Sequence, residues 1–549
     1  MRSKFTASSK QDCSLAYASF AIPAAARISA AAAVLLLAII AIWLRLPGIL
    51  DRPFHLDEAV QAIKTAELME NGRYRYDPTN HHGPTLYYLS AALHKLSGIQ
   101  SRSGMSAFSV RLAPLIALVA LVFAPLLFIR WLTPWGVVIA SALTACSPAF
   151  VFYGGYFIQE TMFVLLLCLA FYFYWQVRPH GELRDRLLWE AGLGAAAGLA
   201  ISSKETAVIH LGTAALAAFG VHWFYPGRPL LPAKARGPWR WVALILPWPL
   251  AILLGMVIIY GFYSSFGQQP DGFSDFLLSY YLYVQRALGE GMGSAHTHPW
   301  WFYWRILLWY KIAPGPVWNE LPIVIGALIG VTLYLTRQLP GPTRAMALFL
   351  TIYTVTTAAV YCILSYKTPW LLLGFFHGFI LLCGCTGSLI YKRRWFVQIA
   401  ATALLLIACS WMISLSRKTV GRFNADPRNP YVYAHTGQDV LRLSKRLNDL
   451  AAHAPEGYNS VVKIVTTDYW PLPWYLRNFT QVGYWNKPPE NADAPFILTD
   501  PETAEQLQPA FKEQYTTEFY GLRPGKLLLL YVRKSIWDSY LSSLQSPSP

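Results

Sequence analysis

The sequence predicts a polytopic α-helical membrane protein of about eleven transmembrane helices with a small C-terminal extracytoplasmic α/β domain. Three observations carry this. The 549 residues are 55% hydrophobic and only 13% charged, about half the charged share of a soluble chain. Apolar runs near the ~20 residues a bilayer core requires recur through residue 415. The composition then shifts to short β-branched runs alternating with polar helical segments after about residue 420.

The predicted spans lie at roughly 28–48, 107–129, 135–153, 158–177, 187–203, 206–224, 240–263, 318–336, 345–364, 369–390 and 395–415. No small-residue cleavage site follows the first, so it reads as a retained helix and not a signal peptide. The domains expected are a cytoplasmic tail 1–27, a membrane domain 28–419 with a long first loop 49–106, and the α/β domain 420–549. In the last, "VVKIVTTD", "QVGYW", "PFILTD" and "KLLLLYVRK" are the strand-like runs. No glycine-rich phosphate loop and no internal repeat is present.

The net charge of +16 could signal nucleic acid in a soluble protein. Here the basic residues sit in short loops between apolar runs, which reads as topology and excludes a nucleic-acid partner. The tail carries Arg2, Lys4, Lys10 and Arg27. Alternate loops then carry Arg130, Arg178 to Arg186, Arg228 to Arg240, Arg337 with Arg344, and Lys392 to Arg394. The positive-inside rule makes that face cytoplasmic. Of seven cysteines, six lie in or beside apolar runs, and no disulfide framework or zinc motif is visible.

The opposite face collects the ionisable residues. They are Asp57, Glu58, His81 and His82 in the first loop, Glu160, Lys204 with Glu205, His296 with His298, and Lys367. Such residues at a membrane boundary are costly and default to functional candidates. Each also has a plainer reading. Acids in a first helical turn favour the dipole, lysines at span ends snorkel, and aromatics form interfacial belts.

The order "DEAVQAIKTAELMENGRYRYDPTNHHGPTLYY", "YFIQET", "SSKET", "SYKTPW" and "DYWPLPWYLR" resembles the membrane-embedded glycosyltransferases of the C superfamily. These include protein O-mannosyltransferases and lipid A aminoarabinose transferases. It is most similar to one branch, the flippase-activity-associated family of bacterial and archaeal membrane proteins. The chain departs in having Gly154-Gly155 before "YFI", where relatives often show Ser-Arg.

The resemblance implies a donor sugar on a polyprenyl phosphate, an acceptor protein, lipid or glycan, and surrounding membrane lipids as partners. It places the protein in the inner (cytoplasmic) membrane with its site toward the periplasm or exterior. Asp57 matches the catalytic carboxylate and would take the acceptor proton, with Glu58 holding it or a cation. Lys367 and Lys204 would neutralise the leaving phosphate. His81, His82, Tyr87, Tyr88, Glu160, Tyr366 and Trp370 would contact substrate. Glu160, Asp57 and His82 are chemically able to bind a divalent metal ion, the one cofactor considered. Two alternatives stay open: a lipid-carrier flippase or accessory without catalysis, and a polymerase or ligase with an oligosaccharide donor. Transporters usually place ionisable residues near the midplane of repeated halves, and neither feature is seen here.

Overall fold

The computed structural model describes residues 19–79, 82–177, 183–225, 247–287, 296–511 and 514–545. Most of the cytoplasmic tail, His81, and the basic loop with Arg228 to Arg240 lie outside the described residues. The helices that frame the site are, in chain order, α1 (Ala24–Asp51), α2 (Leu56–Asn71), α3 (Ala107–Phe123), α4 (Ile129–Cys146), α5 (Glu160–Gln176), α6 (Leu183–Ile201), α7 (Ala207–Phe224), α8 (Pro247–Tyr263), α9 (Asp271–Ala287), α10 (Leu321–Leu335), α11 (Gly341–Ile363), α12 (Leu372–Ile390), α13 (Trp395–Val420) and α14 (Asp439–Ala451).

The helix count corrects the sequence expectation. Among the described residues, six helices are long and apolar enough to cross a membrane, not eleven: Ala24–Asp51, Ala107–Cys146, Ala207–Phe224, Gly341–Ile363, Pro369–Ile390 and Trp395–Val420. The expected spans 107–129 and 135–153 fall largely in the continuous helical run Ala107–Cys146. It tightens into a 3-10 turn at Ala124–Phe128 and bends at Thr133, which precedes Pro134. The apolar helices α5 and α10 have 17 and 15 residues, short of the ~20 that span a bilayer core. α8 also has 17 residues. α6 begins with Arg184, Asp185 and Arg186 and carries Glu190. Hydropathy runs through residues that fold as caps and turns, so a pattern read along the chain overcounts spans.

Glycine faces let the helices close up, as small residues do between membrane helices. A side chain on Gly387 of α12 would strike the Gly136 backbone of α4. One on Gly194 of α6 would strike the Ala251 carbonyl of α8.

The C-terminal region forms one mixed five-stranded sheet in the order β2-β1-β3-β5-β4. β1 (Val462–Val465) pairs in parallel with β2 (Val482–Trp485) and β3 (Phe496–Thr499), and β3 is antiparallel to β5 (Lys526–Arg533). β4 (Tyr515–Arg523) joins β5 as a hairpin whose turn uses Gly525 at φ 77°, a conformation that costs glycine little. The amphipathic helix α14 buries Val440, Leu443, Leu447 and Leu450, the spacing of one helical face. The α/β reading of this region therefore matches the observed elements.

One buried ion cluster ties the first loop to the membrane helices. Glu58 of α2 is fully buried. Arg111 of α3 donates to it from Nε and Nη2, both at 2.8 Å, and the Phe157 N–H donates at 2.9 Å. Arg52 lies 3.6 Å away. Burial pushes the Glu58 carboxyl up, but Arg111 and Arg52 outweigh it and hold it down to about 2. Removing one partner of a buried pair typically costs about 3–5 kcal/mol, because the remaining charge is stranded. Glu58→Gln is expected to destabilise the detergent-solubilised protein by that amount in chemical denaturation, and Glu58→Gln with Arg111→Met to recover part of it. The contribution of the pair is complete above the ordinary glutamate value of 4.5 and is lost as pH falls toward about 2. Acid unfolding should therefore lose its steep limb in that window in the double variant.

Candidate active site

His55 starts α2 and separates two adjacent acids. The Asp57 N–H donates to His55 Nδ1 at 3.0 Å, and the His55 N–H donates to Glu58 Oε2 at 3.3 Å. This reciprocal cap turns Glu58 inward onto Arg111 and leaves Asp57 one-third exposed, lining a cavity of about 740 Å³. The Tyr433 carbonyl lies 2.9 Å from His55 Nε2. A carbonyl only accepts, so the ring proton sits on Nε2 and Nδ1 is the acceptor for Asp57 N–H. Burial also pushes the His55 pKa down, against the pull of Asp57. His55 is thus neutral, and the 3.7 Å approach of Asp57 to its Nδ1 is no ion pair. Among the described residues the Asp57 carboxylate has no cation partner.

The cavity has two characters. Its polar wall is Asp57, Thr79, His82, Lys204, Glu205, His296 and Thr368, and its apolar wall is Val208, Ile209, Val284, Val360, Leu364 and Leu371. Aromatic rings of Tyr280, Tyr283, Tyr361, Tyr366 and Trp370 complete it.

Five of the expected site residues line this space: Asp57, His82, Lys204, Tyr366 and Trp370. Glu160 stands behind one of them, its carboxylate paired with the buried Lys204 ammonium. His82 Nδ1 lies 3.0 Å from Glu205 Oε2, and the Tyr76 hydroxyl donates to Glu205 Oε1 at 3.0 Å. Burial opposes charge on His82, yet the Glu205 carboxylate outweighs it and raises the His82 pKa. Both cations at the cavity are therefore held from behind by a carboxylate.

The other expected residues are elsewhere. Glu58 is in the buried ion cluster. Lys367 is buried and donates from Nζ to the His298 carbonyl at 3.0 Å and to the Leu364 carbonyl, while its N–H donates to the His296 carbonyl at 3.0 Å. It clamps two loops together and does not line the cavity. The Tyr87 hydroxyl donates to Gln61, and Tyr88 bonds Ser265 at 2.9 Å. His81 lies outside the described residues. Among the described residues no three His, Cys, Asp or Glu side chains gather as a metal-binding group. Glu160 is taken by Lys204 and His82 by Glu205, so the set Asp57, Glu160 and His82 does not fit a shared ion.

Two ionisable wall residues, Glu205 and His296, were not among the expected site residues. Glu205 follows Lys204 in "SSKET" and reads there as its neighbour's counterion, whereas it pairs with His82. His296 reads as an interfacial loop histidine. Its placement depends on the bridge of Thr297 to Tyr366, which joins segments about 70 residues apart and leaves no periodic signal. The Gly154-Gly155 step also gains a reason: a Cβ on Gly154 would lie 2.8 Å from Arg45 Nε, and one on Gly155 2.9 Å from Ile49 Cγ1. Helix α1 packs against both. The cation at this turn is Arg52, which donates to the Phe152 and Gly155 carbonyls at 3.1 and 2.6 Å.

Residues 84–263 match the family described as dolichyl-phosphate-mannose-protein mannosyltransferase. No curated protein matches the sequence. ArnT from Cupriavidus metallidurans in the apo state shares the fold with a TM-score of 0.59 at 13% identity, over 95% of this chain and 100% of that one. The same protein bound to undecaprenyl phosphate gives 0.59 at 14%, over 94% and 99%. The oligosaccharyltransferase AglB from Archaeoglobus fulgidus, in complex with an inhibitory peptide and a dolichol-phosphate, gives 0.50 at 13%, over 93% and 77%. The matched segment covers about a third of the chain, and over nearly its whole length the chain is similar in fold to the ArnT and AglB membrane proteins.

Proposed function

We propose that the protein is a glycosyltransferase that moves a sugar from a polyprenyl-phosphate donor to a hydroxyl acceptor, with Asp57 as general base. The observation that carries this is the split of two adjacent carboxylates. Glu58 is buried against arginines, and Asp57 faces a cavity without a cation partner among the described residues. The fold shared with a protein crystallised with undecaprenyl phosphate supports the donor class.

The chemistry follows from the walls. The acceptor oxygen bonds to the anomeric carbon of the sugar. The bond from that carbon to the phosphate oxygen breaks, and its electron pair leaves with the polyprenyl phosphate. The acceptor proton goes to the Asp57 carboxylate, which must be ionised to receive it. Charge growing on the phosphate is met by Lys204 and protonated His82. Val208, Ile209, Val360 and Leu364 give the first isoprene units an apolar bed. Tyr366 and Trp370 offer ring faces to the sugar. A cavity of about 740 Å³ is in the range of pockets for single compact ligands, ~300–1,000 Å³, which favours one sugar on its carrier over an oligosaccharide.

The orientation rests on which end of the bundle is basic. The Phe20 N–H donates to the Arg130 carbonyl, the Phe20 ring packs against Tyr391 beside Lys392 to Arg394, and the Thr343 hydroxyl donates to the Trp131 carbonyl. Arg344 reaches the Arg337 carbonyl. These contacts gather the basic loops at one end, which the positive-inside rule makes cytoplasmic. Trp395–Val420 starts beside Lys392 to Arg394 at that end, so the sheet domain after it would be outside. With a cytoplasmic tail this also requires one of the shorter apolar helices α5, α8 or α10 to cross.

Three outcomes are expected. Asp57→Asn should lower sugar transfer in membranes by about 10²–10⁴-fold at equal protein level, with little change in melting temperature. Near-normal transfer would favour a flippase accessory. Lys204→Ala and His82→Gln should raise the donor KM. In the parent protein donor affinity should weaken as pH rises through the His82 pKa, which lies above the ordinary 6.5, because the cation is lost, and His82→Gln should abolish that limb. A phosphatase reporter fused after residue 420 should be active only outside the cytoplasm.

A further inference from the structure

His296 has no part in the reaction as so far described, yet it sits on the cavity wall with Asp57. It is fixed from several sides although it is a loop residue. Its carbonyl accepts from the Lys367 N–H, and Thr297 bridges to Tyr366. Its ring packs 5.1 Å from Tyr366 and 5.6 Å from Tyr433. The Tyr433 hydroxyl lies 2.9 Å from His296 Nδ1 and 3.3 Å from His298 Nε2. Tyr433 also presents its carbonyl to His55, the residue that caps Asp57. One tyrosine thus references both His296 and the turn carrying Asp57.

A hydroxyl group has one proton to give. If Tyr433 donates to His296 Nδ1, the shorter contact, then His298 Nε2–H donates to the Tyr433 oxygen, and all three groups are satisfied. The remaining His296 proton is then on Nε2, which has no partner among the described residues. Burial lowers the His296 pKa, so the ring is neutral and offers a single N–H to whatever occupies the cavity.

We infer that His296 is a second catalytic residue that binds the acceptor hydroxyl opposite Asp57, with Tyr433 as the positioning residue that fixes its tautomer; this rests on the transferase reading above. The acceptor oxygen has one proton and two lone pairs. The proton points to the Asp57 carboxylate, where it goes when the new carbon–oxygen bond forms. One lone pair accepts from His296 Nε2–H. The other is left directed at the anomeric carbon. The two side chains together thus orient the nucleophile without any charge on the imidazole.

The test is steady-state transfer by the full-length protein in nanodiscs. The donor is mannosyl-, glucosyl- or galactosyl-phosphoryl-undecaprenol, whichever the parent protein uses, and the acceptor probe is methyl α-mannoside. His296→Ala should reduce kcat/KM for the acceptor by about 10–100-fold, the effect of losing one well-placed hydrogen bond. Donor KM should stay the same. His296→Gln, which restores an N–H donor, should recover most of the loss. Tyr433→Phe should give a smaller loss of the same kind, confined to kcat/KM for the acceptor with donor KM unchanged. His298→Gln, which keeps an N–H for Tyr433, should stay near the parent. Normal acceptor kinetics in His296→Ala, or a loss confined to donor KM, would overturn the assignment while leaving the transferase reading intact. A parent protein that transfers from none of the three donors would overturn both.

Discussion

The Glu58 carboxylate, locked between Arg111 and Arg52 beneath the first loop, is the contact on which the rest of the site depends. It sets the rotation of α2 about its own axis. Consecutive helical residues point about 100° apart, so burying Glu58 commits Asp57 to the cavity. Arg111 also donates from Nη1 to the carbonyls of Ile49 and Arg52 at 2.8 and 3.0 Å, and so joins the end of α1 to the start of α2. Arg52 in turn reaches the turn before α5. Three elements far apart in sequence are thereby fixed around one carboxylate that does no chemistry itself. Neighbouring acids of like type thus stand in opposite environments, one buried against arginines and one facing the cavity.

The cavity's cations show the same economy of placement. An unpaired lysine or histidine in a half-apolar cavity would be driven to shed its proton. Glu205 offsets that for His82, whose pKa it raises, and Glu160 pairs with the Lys204 ammonium from behind. In the proposed function an incoming phosphate would meet donors that already have a carboxylate partner.

Much of this was legible in the chain. The apolar runs marked a membrane protein, the change near residue 420 marked the sheet domain, and "HLDEA", "SSKET" and "SYKTPW" named segments that do meet at one end of the bundle. What the pattern could not give was the partner of each charge. Whether Lys204 or Lys367 faces the cavity depends on loop contacts across about 70 residues, as does the seat of His296. Span number was overcounted for a related reason. Helix α5 is apolar because it is largely buried among its neighbours, whereas α8 and α10 expose apolar residues such as Ile252, Leu253, Ile325 and Leu328 on helices of only 17 and 15 residues. Hydropathy alone does not tell these cases from full spans. Glu205 was hidden by adjacency: a lysine and glutamate side by side look like a pair, yet neighbours in a turn diverge.

The seam between the membrane helices and the sheet domain bears on how the chain is built as a unit. Trp474 stacks on Phe54 with ring centroids 4.3 Å apart, and the Phe54 N–H donates to the Tyr475 hydroxyl at 2.8 Å. Arg477 reaches the Met105 carbonyl at 3.2 Å. Phe54 immediately precedes the histidine that caps α2. The chain's last quarter therefore supplies part of the scaffold for its first loop, and the two ends of the polypeptide must both be translated before that loop has its final shape. A nascent chain released only as far as the last membrane helix would carry every polar wall residue of the cavity and still lack the Tyr433 carbonyl and the Trp474 ring that aim them.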